Sequence, residues 1–276
     1  MIGAMELTET FEWEGRRIAW ARAGSGPPVV FCHGTPFSSH VWLPYAEALA
    51  ADFTVHLWDL PGYGRSSMEP EHRVAADVHA TAFRALLDHW GLDRPQVVAH
   101  DLGGLVALRA HLVDGAAYAS LFLVDVVAIP PSGSPFFRFV QDNPALLAQL
   151  PAYIHEAIVG AYIGNATHRG LAPEELAALV APWTGDLGQA GFYRQIADYD
   201  LGLLEDNERR LAALDLPVRI LWGTEDAWIP LETGRRFAGL VAGSVLTEVP
   251  DAGHLMQYDA PVALATALRE WVASRE

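Results

Sequence analysis

The sequence predicts an α/β fold, a mostly parallel sheet covered by helices on both faces, and three observations carry that expectation. Short, continuous apolar runs alternate with segments of helical period at both ends of the chain, the pattern of strands buried on two faces. The alternation stops once, between about Ala128 and Leu214, where helical patterns and Pro/Gly punctuation occur without a convincing strand. With 51% hydrophobic and 19% charged residues, the 276-residue chain can fill one large domain, or one domain carrying a sizeable insertion.

The elements follow in order. Thr10–Trp13 and Arg16–Arg22 read as strands, then a turn at Gly24–Ser25–Gly26 leads into a buried strand, Pro28–Cys32. Thr54–Leu57 is a short apolar strand, and Val74–Trp90 carries apolar residues at helical spacing. Gln96–Ala99 is again a strand, followed by a helix from about Leu102 to Val113 and a strand Leu121–Val124. After the interruption come a strand Val218–Trp222, a helix near Leu231–Val241, a strand Val245–Val249 and a last helix, Ala260–Ser274. We therefore expect one core domain from 1–127 and 215–276, with 128–214 as a helical cap over the carboxyl ends of the strands. Open α/β sheets bind ligands at those ends.

Bulk charge narrows the partners. The 34 acidic residues exceed the 18 basic ones, for a formal net charge of −16. Binding to nucleic acid depends on clustered Lys and Arg and is not expected. The single cysteine, Cys32, excludes an internal disulfide and a cysteine-based zinc site, and its apolar surroundings suit a buried core thiol. The N-terminal stretch lacks the basic start and apolar block of a signal peptide, and no apolar run approaches the roughly 20 residues that cross a bilayer. The expectation is a soluble, cytoplasmic protein without membrane association, acting on a small, mainly apolar organic substrate as monomer or homodimer.

Three segments carry candidate chemistry. In Val97-Val98-Ala99-His100-Asp101-Leu102-Gly103-Gly104 a strand runs into a helix through a tight turn, with a carboxylate at the turn and glycines behind it. A carboxylate can attack carbon and form an ester, and a helix N-terminus favours its anionic form. Taken alone, Asp101 could equally be a helix cap. His33-Gly34-Thr35-Pro36 directly follows a buried strand. Near the C-terminus, Trp222-Gly223-Thr224-Glu225-Asp226 ends one strand and Asp251-Ala252-Gly253-His254 follows the last.

Together these segments resemble the α/β-hydrolase superfamily, over nearly the whole chain, and specifically its branch with an aspartate nucleophile: epoxide hydrolases and haloalkane or haloacetate dehalogenases. The first is similar to the nucleophile elbow G-x-S-x-G, with Ala99 and Asp101 replacing the first glycine and the serine. The resemblance implies an eight-stranded sheet with the cap between strands 6 and 7, and a triad of Asp101 (nucleophile), Asp226 (acid) and His254 (base). The backbone N–H groups of Thr35 and Leu102 would form the oxyanion hole, and no metal or organic cofactor is required. Glu225 is the neighbouring candidate acid; His33 and His100 read as structural, as does the turn Asp59–Ser66.

In this branch Asp101 would attack an electrophilic carbon, and His254, held by Asp226, would activate water to hydrolyse the ester. Leu102 and Leu105 stand where the dehalogenases resembled here carry a halide-binding Trp or carboxylate-binding arginines. Epoxide hydrolases use cap tyrosines to protonate the ring oxygen, and the cap offers Tyr153, Tyr162, Tyr193 and Tyr199. Gly191-Phe192-Tyr193-Arg194 is similar to a cap segment of that group, so Tyr193 is the first choice and Tyr153 the second. His155 and Trp183 are candidate halide contacts that keep a haloalkane or haloacid dehalogenase as the alternative. A catalytically silent small-molecule binding protein, or a lactonase or esterase with Asp101 as base, are the further alternatives. The preferred expectation is an epoxide hydrolase.

Overall fold

The structure, a computed structural model, describes residues 5–275; residues 1–4 and 276 of the expected core segments, with the start of the N-terminal stretch, lie outside the described residues. Its strands are β1 (Glu9–Trp13), β2 (Arg16–Ala23), β3 (Pro28–Cys32), β4 (Thr54–Trp58), β5 (Gln96–His100), β6 (Ser120–Val124), β7 (Val218–Gly223) and β8 (Val245–Val249). They form one eight-stranded sheet in the order β1-β2-β4-β3-β5-β6-β7-β8. β1 and β2 pair antiparallel, as do β2 and β4; every other pairing is parallel. Each strand lies within one residue of its expected ends.

Helices α1 (Leu43–Leu49), α2 (Ala76–Trp90), α3 (Leu102–Leu112), α10 (Leu231–Leu240), α11 (Met256–Asp259) and α12 (Pro261–Ala273) belong to the sheet-forming part of the chain. The α2 helix ends where Gly91 takes a left-handed conformation (φ 65°), which lets its N–H reach back to the last carbonyls. The α3 helix has no polar face, and its residues from Leu102 to Ala110 are all buried. That suits a helix covered on all sides by the sheet, α2 and a helix of the insertion.

Between β6 and β7 lie α4 (Pro135–Asp142), α5 (Pro144–Leu147), α6 (Ala152–Gly164), α7 (Pro173–Val180), α8 (Gly185–Ala197) and α9 (Leu201–Arg210), and no strand. Side chains of this insertion bond to loops that follow β3 and β4. Trp183 Nε1–H donates to the Pro36 carbonyl at 2.6 Å, and Arg194 Nη2 to the Met68 carbonyl at 2.9 Å. Asp198 accepts the Val74 N–H at 2.8 Å. Because β5 lies between β3 and β6, the residue after β5 faces the loops that leave both neighbours. That residue is Asp101.

Candidate active site

Asp101 has φ 51° and ψ −126°, a conformation that costs a non-glycine residue about 1–3 kcal/mol unless its surroundings hold it. They do: its N–H donates to the Val124 carbonyl at 3.3 Å, and its own carbonyl accepts the N–H groups of Gly104 (2.9 Å) and Val127 (3.0 Å). The turn also needs room. A Cβ on Gly34 would lie 2.3 Å from Asp101 Cβ and Oδ1, and one on Gly103 would lie 2.5 Å from the His33 carbonyl oxygen. Both positions therefore admit only glycine, which is the physical content of the glycines in the two motifs.

The strained turn aims the carboxylate at defined partners. Oδ1 of Asp101 accepts the Thr35 N–H at 2.6 Å, and Oδ2 lies 3.1 Å from His254 Nε2. On the far side of the ring, His254 Nδ1 is 2.9 Å from Asp226 Oδ2. The other oxygen of Asp226 accepts the N–H groups of Trp228 and Ile229, both at 2.8 Å, so this carboxylate has no freedom to turn. Asp101, Asp226 and His254 are all buried. Glu225, the neighbouring acid, is exposed, and its carboxylate accepts from the Thr224 hydroxyl at 3.3 Å rather than from His254.

Electrostatics follow from this arrangement. Burial alone would lower the His254 pKa, but the charge of Asp226 and the bond to Asp101 outweigh it and raise the value well above 6.5. Burial would raise Asp101, yet the bond and charge of His254 leave it below its ordinary 3.8. His100 is pushed down to about 3 by burial and by the neighbouring His254, and its Nε2 lies 2.9 Å from the His254 carbonyl oxygen. It is a neutral buttress for the histidine loop. His33 is lowered by burial; its Nε2 accepts the Leu60 N–H and its Nδ1–H donates to the Gly34 carbonyl, each at 2.9 Å. A further carboxyl was not anticipated: Asp125, just after β6, accepts the Gly223 N–H at 2.7 Å. Complete burial, then the charge of Asp226, push its pKa well above the usual carboxylate range.

A cavity of about 40 Å³ opens onto Asp101 and Thr35 and is walled by Val127, Phe137, Tyr162, Tyr199 and Trp228 among others. Tyr162 stacks on Trp228 (ring centroids 4.4 Å apart), which stacks in turn on the His254 ring at 4.9 Å. The Tyr199 hydroxyl donates to Ser132 Oγ at 2.6 Å. The Tyr162 hydroxyl has no hydrogen-bond partner among the described residues. Burial, then the charge of Asp101, raises the Tyr162 pKa, so its proton stays on.

The expected cap residues are placed elsewhere. Tyr193 is buried beside His155, whose Nδ1 is 3.0 Å from its hydroxyl, and His155 Nε2 is 2.7 Å from the Trp183 carbonyl oxygen. With the Trp183 indole already bound to Pro36, these three form a closed structural cluster, and none of them lines the cavity. Tyr153 is 72% exposed. It lies nine residues before Tyr162 on α6, two and a half turns at 3.6 residues per turn, and so points the opposite way. The usable signal was the buried stripe of that helix: His155, Val159 and Ile163 are buried, and Tyr162 adjoins them.

Residues 29–267 match the family model described as "Alpha/beta hydrolase family". The chain belongs to that family. This hydrolase is 49% identical to an alpha/beta hydrolase fold protein from Burkholderia ambifaria, with a TM-score of 0.93 over 96% of this chain and 98% of that one. It is 35% identical to a pimeloyl-[acyl-carrier protein] methyl ester esterase of Chromobacterium violaceum, over 84% of this chain and 88% of that protein. Haloalkane dehalogenase 2 of Mycobacterium tuberculosis is 27% identical over 94% of the hydrolase and 93% of its own length. A soluble epoxide hydrolase of a Corynebacterium is 37% identical over 113 residues, 41% of this chain and 39% of that protein. Among the described residues of the hydrolase, no helix is long and apolar enough to cross a membrane, and no cluster of His, Cys, Asp and Glu could hold a metal.

Proposed function

We propose that this hydrolase opens small epoxides by covalent catalysis at Asp101. The observation that carries the reading is the Tyr162 hydroxyl, protonated and without a hydrogen-bond partner among the described residues, on the same small cavity as the Asp101 carboxylate. A carboxylate nucleophile suits attack at saturated carbon, and an epoxide needs a proton donor where its oxygen departs. Tyr162 and Tyr199 replace Tyr193 and Tyr153 in that role, with Tyr162 the principal donor because Tyr199 already donates to Ser132.

In the first step an Asp101 oxygen attacks a ring carbon, the carbon–oxygen bond breaks, and the leaving oxygen takes the Tyr162 proton. The product is an alkyl ester of Asp101. Esterification removes the anion beside His254, whose proton passes to the Tyr162 phenolate and leaves a neutral imidazole. In the second step His254 takes a proton from water, and the hydroxide adds to the ester carbonyl. The Thr35 and Leu102 N–H groups stabilise the resulting oxyanion. Collapse expels the diol as its alkoxide, which takes the proton of the new Asp101 carboxyl group, and the resting charges return. A cavity of about 40 Å³ is roughly a quarter of one that holds benzene, so a substrate of a few heavy atoms fits without movement of the insertion.

The test is direct. His254→Gln, incubated with small epoxides and alkyl halides, should accumulate an adduct on the peptide containing Asp101. An epoxide adds its full mass, whereas a halide adds its mass less that of hydrogen halide. Native enzyme turning over in ¹⁸O-water should gain ¹⁸O in the Asp101 carboxylate. Turnover that leaves Asp101 unlabelled, as expected if it were a base in an esterase or lactonase, ends the proposal. Turnover of halides alone would make the protein a dehalogenase.

A further inference from the structure

We infer that Asp259 is a positioning residue, which locks the His254 loop and the Tyr162-bearing helix α6 into a single register. The inference rests on the Asp101 reading, because it concerns the two groups that act on Asp101 and its substrate. Asp259 ends the short helix α11 and is 1% exposed. Its Oδ2 accepts the N–H of Gly253 at 2.8 Å and that of His168 at 2.7 Å, and its Oδ1 accepts the N–H of Arg169 at 2.9 Å. One carboxylate thus gathers three backbone donors from two segments that are far apart in sequence.

Each segment leads straight to the chemistry. Gly253 is the residue before His254. His168 and Arg169 lie in the loop that follows α6, and Tyr162 stands in the last turn of α6. No strand or helix pairing orders these donors, since both segments are irregular backbone. A second bond joins the same partners: the Leu255 N–H donates to the Ala166 carbonyl at 2.8 Å. The approach is close as well, because a Cβ on Gly253 would lie 2.8 Å from His168 N and 3.0 Å from Asp259 Oδ2. The exposed Arg169–Asp251 pair, 3.9 Å apart and screened by water, does not substitute for this clasp. Asp259 touches neither the cavity nor the triad, so it acts through the loops it holds.

Asp259→Ala removes both acceptor oxygens and leaves the three backbone N–H groups that join the two loops without their partner. Asp259→Asn keeps one acceptor and sets an N–H₂ against at least one of those donors, so it should show the same effects in weaker form. Rapid-quench single turnovers with a small epoxide separate the steps: formation of the Asp101 adduct, which needs Tyr162, and its hydrolysis, which needs His254. Both rates, expressed per labelled Asp101, should fall about 10-fold or more, as expected when reacting groups lose register. The alkaline-rising limb of hydrolysis should also move to lower pH, because His254 is held less closely against Asp226. A merely structural role would lower the fraction of labelled sites and leave the per-site rates and the pH limb alone, and that result overturns the inference.

Hydrogen exchange on the native enzyme provides a reading that does not depend on the variant folding. The amides of Gly253, His168 and Arg169 should be protected to a similar degree, well above ordinary loop amides. Free exchange at all three also overturns it. Absence of ¹⁸O at Asp101 in turning-over native enzyme removes the covalent reading instead, and leaves the clasp to stand or fall on exchange.

Discussion

Replacing Tyr162 with Phe isolates the proton that the proposed ring opening requires. The change should be almost silent in the folded state. The Tyr162 hydroxyl has no partner among the described residues, while its ring keeps the contacts with Trp228 at 4.4 Å and Phe136 at 5.2 Å. Stability should therefore stay within about 0.5 kcal/mol of the native chain. Catalysis should not. One preorganised donor to a developing oxyanion in a dry site is worth about 3–4 kcal/mol, so formation of the Asp101 ester from an epoxide should slow by roughly 10²–10³-fold. Tyr199→Phe removes a hydroxyl already committed to Ser132 and should cost about 10-fold or less. Rapid quench followed by mass measurement of the Asp101 peptide gives this step directly, and an alkyl halide, whose leaving group needs no proton, serves as control. If Tyr162→Phe forms the epoxide ester at the native rate, Tyr162 is not the donor and the preference for epoxides loses its support.

Other perturbations probe the frame of the site. Gly34→Ala places a Cβ 2.3 Å from Asp101 Cβ and Oδ1, so it should abolish labelling of Asp101 and lower the unfolding free energy measured in urea by about 1–3 kcal/mol or more. Trp183→Phe removes the indole bond to Pro36 and leaves a buried carbonyl unpaired, costing about 1–3 kcal/mol in chemical denaturation. The pH dependence of stability should show the Asp101–His254 pair. Asp101 is lowered from 3.8, so its contribution is present above that pH and lost as pH falls through its folded value. His254 is raised from 6.5, so its contribution is present below that pH and lost as pH rises through its folded value. The difference between native chain and Asp101→Asn should therefore be largest between about pH 3.8 and 6.5, and a flat difference across pH 3–9 contradicts the pairing. Below pH 6.5, His79 and His100, each held down to about 3 chiefly by burial, lower the stability of both proteins as pH falls.

The sheet was legible because each strand is a short apolar run with its own boundaries, and all eight were readable from local pattern. The short helix Leu43–Leu49 was not, since it follows a single turn at Ser39–Trp42 and has too few residues to show a period. The elbow, the histidine loop and their chain order were equally readable, because each is a local motif tied to the end of a strand. The insertion was read correctly as helical, but not the direction of its side chains. Tyr193 sits in the segment similar to an epoxide-hydrolase cap, and it folds away onto His155; Tyr162 carries no motif, and packing against Trp228 turns it onto the cavity. The raised pKa of Asp125 could not be recognised either. That property comes from burial beside Asp226, which only the pairing of β6 with β7 creates.

The raised pKa of Asp125 bears on how one imidazole can serve both proposed steps. At rest His254 lies 3.1 Å from one carboxylate and 2.9 Å from another, and their attraction raises its pKa well above 6.5 despite burial. Ester formation at Asp101 abolishes one of those charges at a distance where, even at an effective dielectric near 20, the interaction is several kcal/mol. The histidine pKa must fall at that moment, and the base needed for the second step appears only once the first is complete. A third anion nearby would blunt the change by holding the proton on the ring after esterification. Asp125 would be that anion if it ionised. Complete burial and the charge of Asp226 disfavour that ionisation, so the balance around His254 rests chiefly on Asp226 and on the state of Asp101. The strained turn of Asp101 serves the same end, because it places Oδ2 against His254 while Oδ1 stays on the Thr35 N–H, the donor that in the proposed mechanism would hold the oxyanion.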